Sequence, residues 1–187
     1  TRSLGDDEPP SLAGDVSVGG RVLQLAAGDW HTCALLDTGA VRCWGLNSSG
    51  QLGLGHTLTI GNDELPSSSE SVPVGGHVLQ VSAGRHHTCA LLSTGSLECW
   101  GDNGHGQLGL GHRDELHSPP ERPVDLGGAA VLHVTTGASF TCALLDTGAV
   151  RCWGLNASGQ LGQGHTEDLG DDELPSTVDG IQLLAPG

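Results

Sequence analysis

The sequence predicts an all-β fold, an arc of a β-propeller made of four-stranded antiparallel blades, and three observations predict it. One stretch recurs three times, marked by Cys33, Cys89 and Cys142, which lie 56 and then 53 residues apart. Every copy holds short runs of β-prone residues separated by tight turns. No segment shows helical periodicity with caps. Self-similarity at this period signals a propeller, a solenoid or an array, and four short antiparallel strands per unit select the propeller.

Residues 1–20 read as the end of a preceding blade, because Thr1 to Pro10 resembles Thr57 to Pro66 and Thr166 to Pro175, and Val16-Ser17-Val18 follows as its last strand. Repeat 1 spans 21–75 and opens on the alternating strand Val22-Leu23-Gln24-Leu25. A hairpin follows, with strands Thr32 to Leu36 and Ala40 to Trp44 around the loop Asp37-Thr38-Gly39. A three-residue loop with Gly last suits a type I turn followed by a left-handed residue. Then come Gly50-Gln51-Leu52-Gly53-Leu54-Gly55, an acidic loop and a closing strand, Val72-Pro73-Val74. Repeat 2 spans 76–127, with Val78-Leu79-Gln80-Val81, the loop Ser93-Thr94-Gly95 and Pro123-Val124-Asp125 in the same roles. Repeat 3 spans 128–179, with Val131-Leu132-His133-Val134 and Asp146-Thr147-Gly148. Residues 180–187 start a further blade at Ile181-Gln182-Leu183-Leu184.

Centring each hairpin on its turn puts Cys33 opposite Cys43, Cys89 opposite Cys99 and Cys142 opposite Cys152, which uses all six cysteines. Opposed strand positions bring Cβ atoms to roughly 4.5–5.5 Å, and modest adjustment reaches the disulfide range. Three intra-hairpin disulfides are therefore expected, each contributing about 2–3 kcal/mol by closing a short loop. Small buried thiols are the plain alternative. A zinc site is the other, but its ligands come as close Cys pairs, and none is present. Paired cysteines favour an oxidising compartment.

The formal net charge is −15 and only seven residues are Lys or Arg. Neutralising phosphates takes Lys and Arg, so nucleic acid and anionic membranes are excluded as electrostatic partners. No apolar run reaches the ~18 residues of a membrane span. The chain contains no Met, and it reads as a processed or partial segment. Three units and about half of another fall short of a closed ring. The expectation is part of a longer chain or larger assembly.

Trp44-Gly45-Leu46-Asn47 with Gly50-Gln51-Leu52-Gly53 returns as Trp100-Gly101-Asp102-Asn103 with Gly106-Gln107-Leu108-Gly109, and as Trp153-Gly154-Leu155-Asn156 with Gly159-Gln160-Leu161-Gly162. This pattern resembles the repeats of the regulator of chromosome condensation family. The resemblance covers essentially the whole chain and implies a propeller, usually of seven blades. It also implies guanine-nucleotide exchange on a small GTPase and docking on chromatin. The paired cysteines do not suit a reducing nucleus, and the acidic balance does not suit chromatin, so fold and function must be argued separately.

Positions that every copy repeats are expected to be structural: Trp44, Trp100 and Trp153 between blades, and Asn47, Asn103 and Asn156 in a tight turn. Partner-binding residues are expected where copies differ. Asp29-Trp30, Arg85-His86 and Ala138-Ser139 fill one variable place, Leu46, Asp102 and Leu155 a second, and Ser49, His105 and Ser158 a third. Trp and Arg are favoured interface anchors, so Trp30, Arg85, His86 and His105 are the candidate binding residues. Six histidines fall in the second unit, but several follow the repeat, and no metal site is assigned. The recurring acidic loops, Asp6-Asp7-Glu8, Asp63-Glu64, Asp114-Glu115 and Asp171-Asp172-Glu173, match no calcium cage and read as solvated. Asn47 and Asn156 head glycosylation sequons but sit in the structural turn. No catalytic set and no cofactor motif is present. The reading is a non-enzymatic, disulfide-stapled binding module, extracellular or at the cell surface, for a protein or glycan partner. The alternatives are guanine-nucleotide exchange and a structural role in a surface assembly.

Overall fold

The structure is a computed structural model that describes residues 9–12, 14–178, 180 and 181. Three antiparallel sheets follow one another along the chain: β1 (Val22–Ala27), β2 (His31–Leu36) and β3 (Val41–Gly45); β4 (Val78–Ala83), β5 (His87–Leu92) and β6 (Leu97–Gly101); β7 (Val131–Thr136), β8 (Phe140–Leu145) and β9 (Val150–Gly154). The β4 strand packs on β1 and β2, and β7 packs on β4 and β5, so the blades stand side by side. Between blades lie the apolar cores. Val41, Leu52 and Val72 meet Val78, Val81 and Trp100 in one, and Leu97, Leu108 and Val124 meet Val131, Val134 and Trp153 in the next.

Each hairpin has the register expected of it. Cys33 pairs with Cys43, Cys89 with Cys99 and Cys142 with Cys152, and each pair is a disulfide with Cα atoms 4.1 Å apart. That spacing belongs to the narrow kind of antiparallel pair, where side chains are closest. The turn glycines Gly39, Gly95 and Gly148 have φ of 82°, 81° and 82°. Left-handed backbone there lets the strands turn back after three residues.

Among the described residues the sheets are three-stranded, which corrects the expected fourth strand. The expected closing strand meets the edge strand at one backbone bond, and a separate residue earlier in the loop makes a two-bond bridge at the strand's other end. Val72 N–H donates to Val41 (2.9 Å) and Val124 N–H to Leu97 (2.8 Å), while Ile60 and Leu116 bridge Gly45 and Gly101. In blade 1 the ladder stops because Val74 N–H turns back onto Val72, while Pro73 stands on the side that faces away from the edge strand, where no N–H is needed. Ile181 takes this same place on β9, since its N–H donates to Val150 at 2.8 Å. The residue expected to open a further blade therefore lies on the edge of the third. Residues 182–187 are outside the described residues, as are Thr1 to Glu8 with their acidic loop. No helix among the described residues is long and apolar enough to cross a membrane.

Candidate functional site

The repeated positions build joints between blades. Trp100 Nε1–H donates to the Gln51 carbonyl of the preceding blade at 3.1 Å, and the Thr88 hydroxyl donates to the same oxygen at 2.8 Å. Thr88 has then spent its only proton. His31 Nε2, 2.8 Å away, must therefore be the donor to Thr88 Oγ1. The next joint repeats the chain of bonds: His87 to Thr141 at 3.0 Å, Thr141 to the Gln107 carbonyl at 2.9 Å, and Trp153 to that carbonyl at 3.0 Å. Between the opening strands, the Gln24 amide exchanges two bonds with the Val81 backbone, and Gln80 does the same with Val134.

The joint histidines are neutral. Burial lowers the pKa of His31 from 6.5 to about 4, helped by the charge of His86 and opposed by Asp29. Burial likewise lowers His87 to about 4, with His31 adding to the effect. Nδ1 of each ring is buried without a partner, so a second proton would have no acceptor.

The turn asparagines are fully buried. Asn47 Nδ2 donates to the His56 and Leu58 carbonyls while its Oδ1 accepts from Leu52 N–H. Asn103 and Asn156 make the equivalent three bonds. A side-chain amide occupied in this way cannot carry a glycan, so the two sequons belong to the turn.

The variable residues collect at the loop end of the arc. In every blade a backbone bond ties the first variable place to the second: Leu46 to Trp30, Asp102 to His86, and Leu155 to Ser139. Trp30 is 61% exposed there. Arg85 reaches across to Asp29, with Nε 3.7 Å from the carboxylate, and its N–H donates to Ala138 of the following blade. His86 keeps a buried, unpartnered Nε2. Asp102 turns inward, accepting from Gly104 N–H and from the Gln107 amide. His105 lies against the next blade, with Nδ1 2.9 Å from Asp168, whose other oxygen accepts from Asn156 N–H. Arg85 and His86 thus sit together with Asp29, whereas His105 belongs to a separate contact. The sequence placed Asp29 in the variable position but gave no sign of its pairing with Arg85, and it did not single out Asp168, since the partners lie 56 and 63 residues away and in neighbouring blades.

The acidic loops are partly built in. Gly61 N–H donates to Glu64 and Gly170 N–H to Glu173, so a glutamate closes the same turn in two blades. Asp171, Asp172 and Glu173 bring carboxylate oxygens within 4.8 Å of one another, but Asp171 is already bound by the Arg113 guanidinium.

Comparison with known proteins agrees with this geometry. Sequence models of the Regulator of chromosome condensation (RCC1) repeat match residues 22–51, 78–107 and 131–160, and a second model of that repeat matches 38–91 and 94–144. The ultraviolet-B receptor UVR8 of Arabidopsis thaliana is 38% identical over 148 residues, which is 79% of this chain and 32% of that receptor. The crystal structure of human WBSCR16 superposes with a TM-score of 0.66 at 29% identity, covering 82% of this chain and 39% of that one. Prp20p of Saccharomyces cerevisiae superposes with a TM-score of 0.65 at 21% identity, covering 88% and 39%. The chain spans between 13% and 32% of the length of curated relatives it matches.

Proposed function

The chain belongs to the regulator of chromosome condensation (RCC1) repeat family, and from that premise we propose that it is a non-catalytic propeller segment that binds a protein or glycan partner through its loop end, outside the cell or at its surface. One observation carries the reading. The positions that all copies share are consumed in joints and turns, while Trp30 and Arg85, which vary, stand exposed at one end. A rigid scaffold with variable exposed loops is the usual arrangement of a binding surface. Trp and Arg are the residues that most often carry binding energy. Three disulfides support the oxidising compartment.

Prp20p was described with its binding to Gsp1p and histones, which keeps nucleotide exchange as the second reading. The experiment is a pair of assays on the oxidised chain. Binding to an array of extracellular ectodomains and glycans should show a discrete hit that is lost in the Trp30→Ala, Arg85→Ala double variant. Accelerated GDP release from a panel of small GTPases, with no array hit, would overturn the proposal.

A further inference from the structure

The outer loop of blade 2 breaks the repeat. In blade 1, Val72 comes 12 residues after Ile60, and in blade 3 Ile181 comes 12 after Leu169, but Val124 comes only 8 after Leu116. The shortening falls where blades 1 and 3 form the 3-10 turns Pro66–Ser68 and Pro175–Thr177. In those blades Arg42 and Arg151 hold the turn by its carbonyls. Glu98 takes the place of that arginine in the register of blade 2. The turn and the side chain that holds it are thus altered together.

The loop that remains is Ser118-Pro119-Pro120-Glu121-Arg122-Pro123, and beside it lies a groove of about 700 Å³ between blades 2 and 3. That volume is within the roughly 300–1,000 Å³ of ligand sites. Its apolar walls are Leu110, Leu116, Pro119, Pro120 and Pro123 of blade 2 and Leu174 of blade 3, which rests on Gly111. Leu110 and Leu116 pack on the core between the two blades, so the groove is built into the arc. Proline fixes φ, and three of the six loop residues therefore hold the wall in shape before anything binds.

The charge around the groove is one-sided. Glu121 and Asp125 line it, Asp114 and Glu115 lead into Leu116, and Asp172 and Glu173 lead into Leu174. The basic groups on the lining are Arg122, whose sequence neighbour is Glu121, and His112, whose Nδ1 accepts from Asp114 N–H.

We infer that this groove docks a basic segment of another protein. An apolar side chain of that segment sits among the leucines and prolines, and Lys or Arg on either side of it meets the carboxylates. Charge complementarity selects this occupant. A chain of net charge −15 with carboxylates around an apolar hollow attracts cationic segments and repels acidic ones. The inference goes beyond the loop-end reading and does not rest on it, because the groove shares no residue with Trp30, Arg85 and His86.

The test is fluorescence anisotropy of the oxidised chain with three labelled hexapeptides: Lys-Lys-Leu-Leu-Lys-Lys, the same peptide with Ser-Ser in place of Leu-Leu, and Glu-Glu-Leu-Leu-Glu-Glu. The first should bind about tenfold or more tighter than either of the others, as expected for burying a leucine. Ser118→Trp fills the groove and should remove that preference, with circular dichroism to verify folding. Glu121→Lys changes an exposed side chain and should weaken the first peptide by about fivefold or more. Where Ser118→Trp does not fold, Glu121→Lys decides alone. The Trp30→Ala, Arg85→Ala double variant should bind all three peptides as the parent chain does. Equal affinity for the leucine and serine peptides would reduce the binding to net charge and overturn the inference. So would a preference for the acidic peptide, a preference indifferent to the groove variants, loss of binding in the loop-end double variant, or no binding at millimolar peptide.

Discussion

The joints and the loop end are made from the same repeats and follow opposite rules. At the joints, position 44 of the first unit is tryptophan in every copy, and each buried indole meets a carbonyl of the preceding blade. At the loop end, Trp30, His86 and Ser139 take one place with three chemistries. The lesson is that internal repetition separates packing from recognition without any alignment. What recurs is needed by every blade, and what drifts is free to be selected for a partner. The comparison breaks most visibly at Trp153. Replacing it by Ala empties a fully buried site and should cost about 3–5 kcal/mol in urea unfolding. A loss under about 1 kcal/mol would mean that the joints do not hold the blades.

The joints should also be sensitive to acid, and blade 3 supplies the control. His31 and His87 are held at about 4 in the folded chain against 6.5 when unfolded. Between those values the unfolded chain binds more protons, so stability rises with pH across the window. It is complete above about pH 6.5, falls as the pH drops, and levels off near pH 4. At about 1.4 kcal/mol per pH unit, each histidine accounts for about 3 kcal/mol. Phe140 takes the same place beside Gly137 that His87 takes beside Gly84, with no following blade against it among the described residues. His87→Phe removes the titrating ring and, where it folds at neutral pH, should remove roughly half of the acid loss. Thermal melting from pH 7 to pH 4 measures it, and an unchanged slope would separate acid sensitivity from the joints.

How much of this could be read from sequence depends on how far apart the contacting residues lie. The hairpins were legible because their partners are ten residues apart and the turn glycine sets the register. The turn asparagines were legible as structural because all three recur. The closing strand was overread. Val-Pro-Val has strand composition, but Val74 N–H turns back onto Val72, so one bond replaces a row. Ile181-Gln182-Leu183-Leu184 resembles an opening strand in composition, yet Ile181 lies 31 residues after Val150, as Val72 does after Val41. Spacing from the hairpin was the better guide. The relay from His31 through Thr88 to Gln51 was not legible, because it needs blade 2 seated on blade 1. The available hint was that His-Thr recurs at 31 and 87 and becomes Phe-Thr at 140.

Trp30 sharpens the comparison at its smallest expected effect. Its indole is mostly in solvent, and its backbone carbonyl, which accepts from Leu46 N–H, survives any side-chain change. Exposed side chains away from caps and networks change stability by about 0.5 kcal/mol or less. Trp30→Ala should therefore leave the urea midpoint in place, where Trp153→Ala shifts it strongly. The same residue type, in the same chain, would then be stabilising at one address and dispensable for folding at the other. A large destabilisation at Trp30 would show that the loop end is part of the packing. The variable residues would then be there to support the fold, and the binding surface would have to lie elsewhere on the arc.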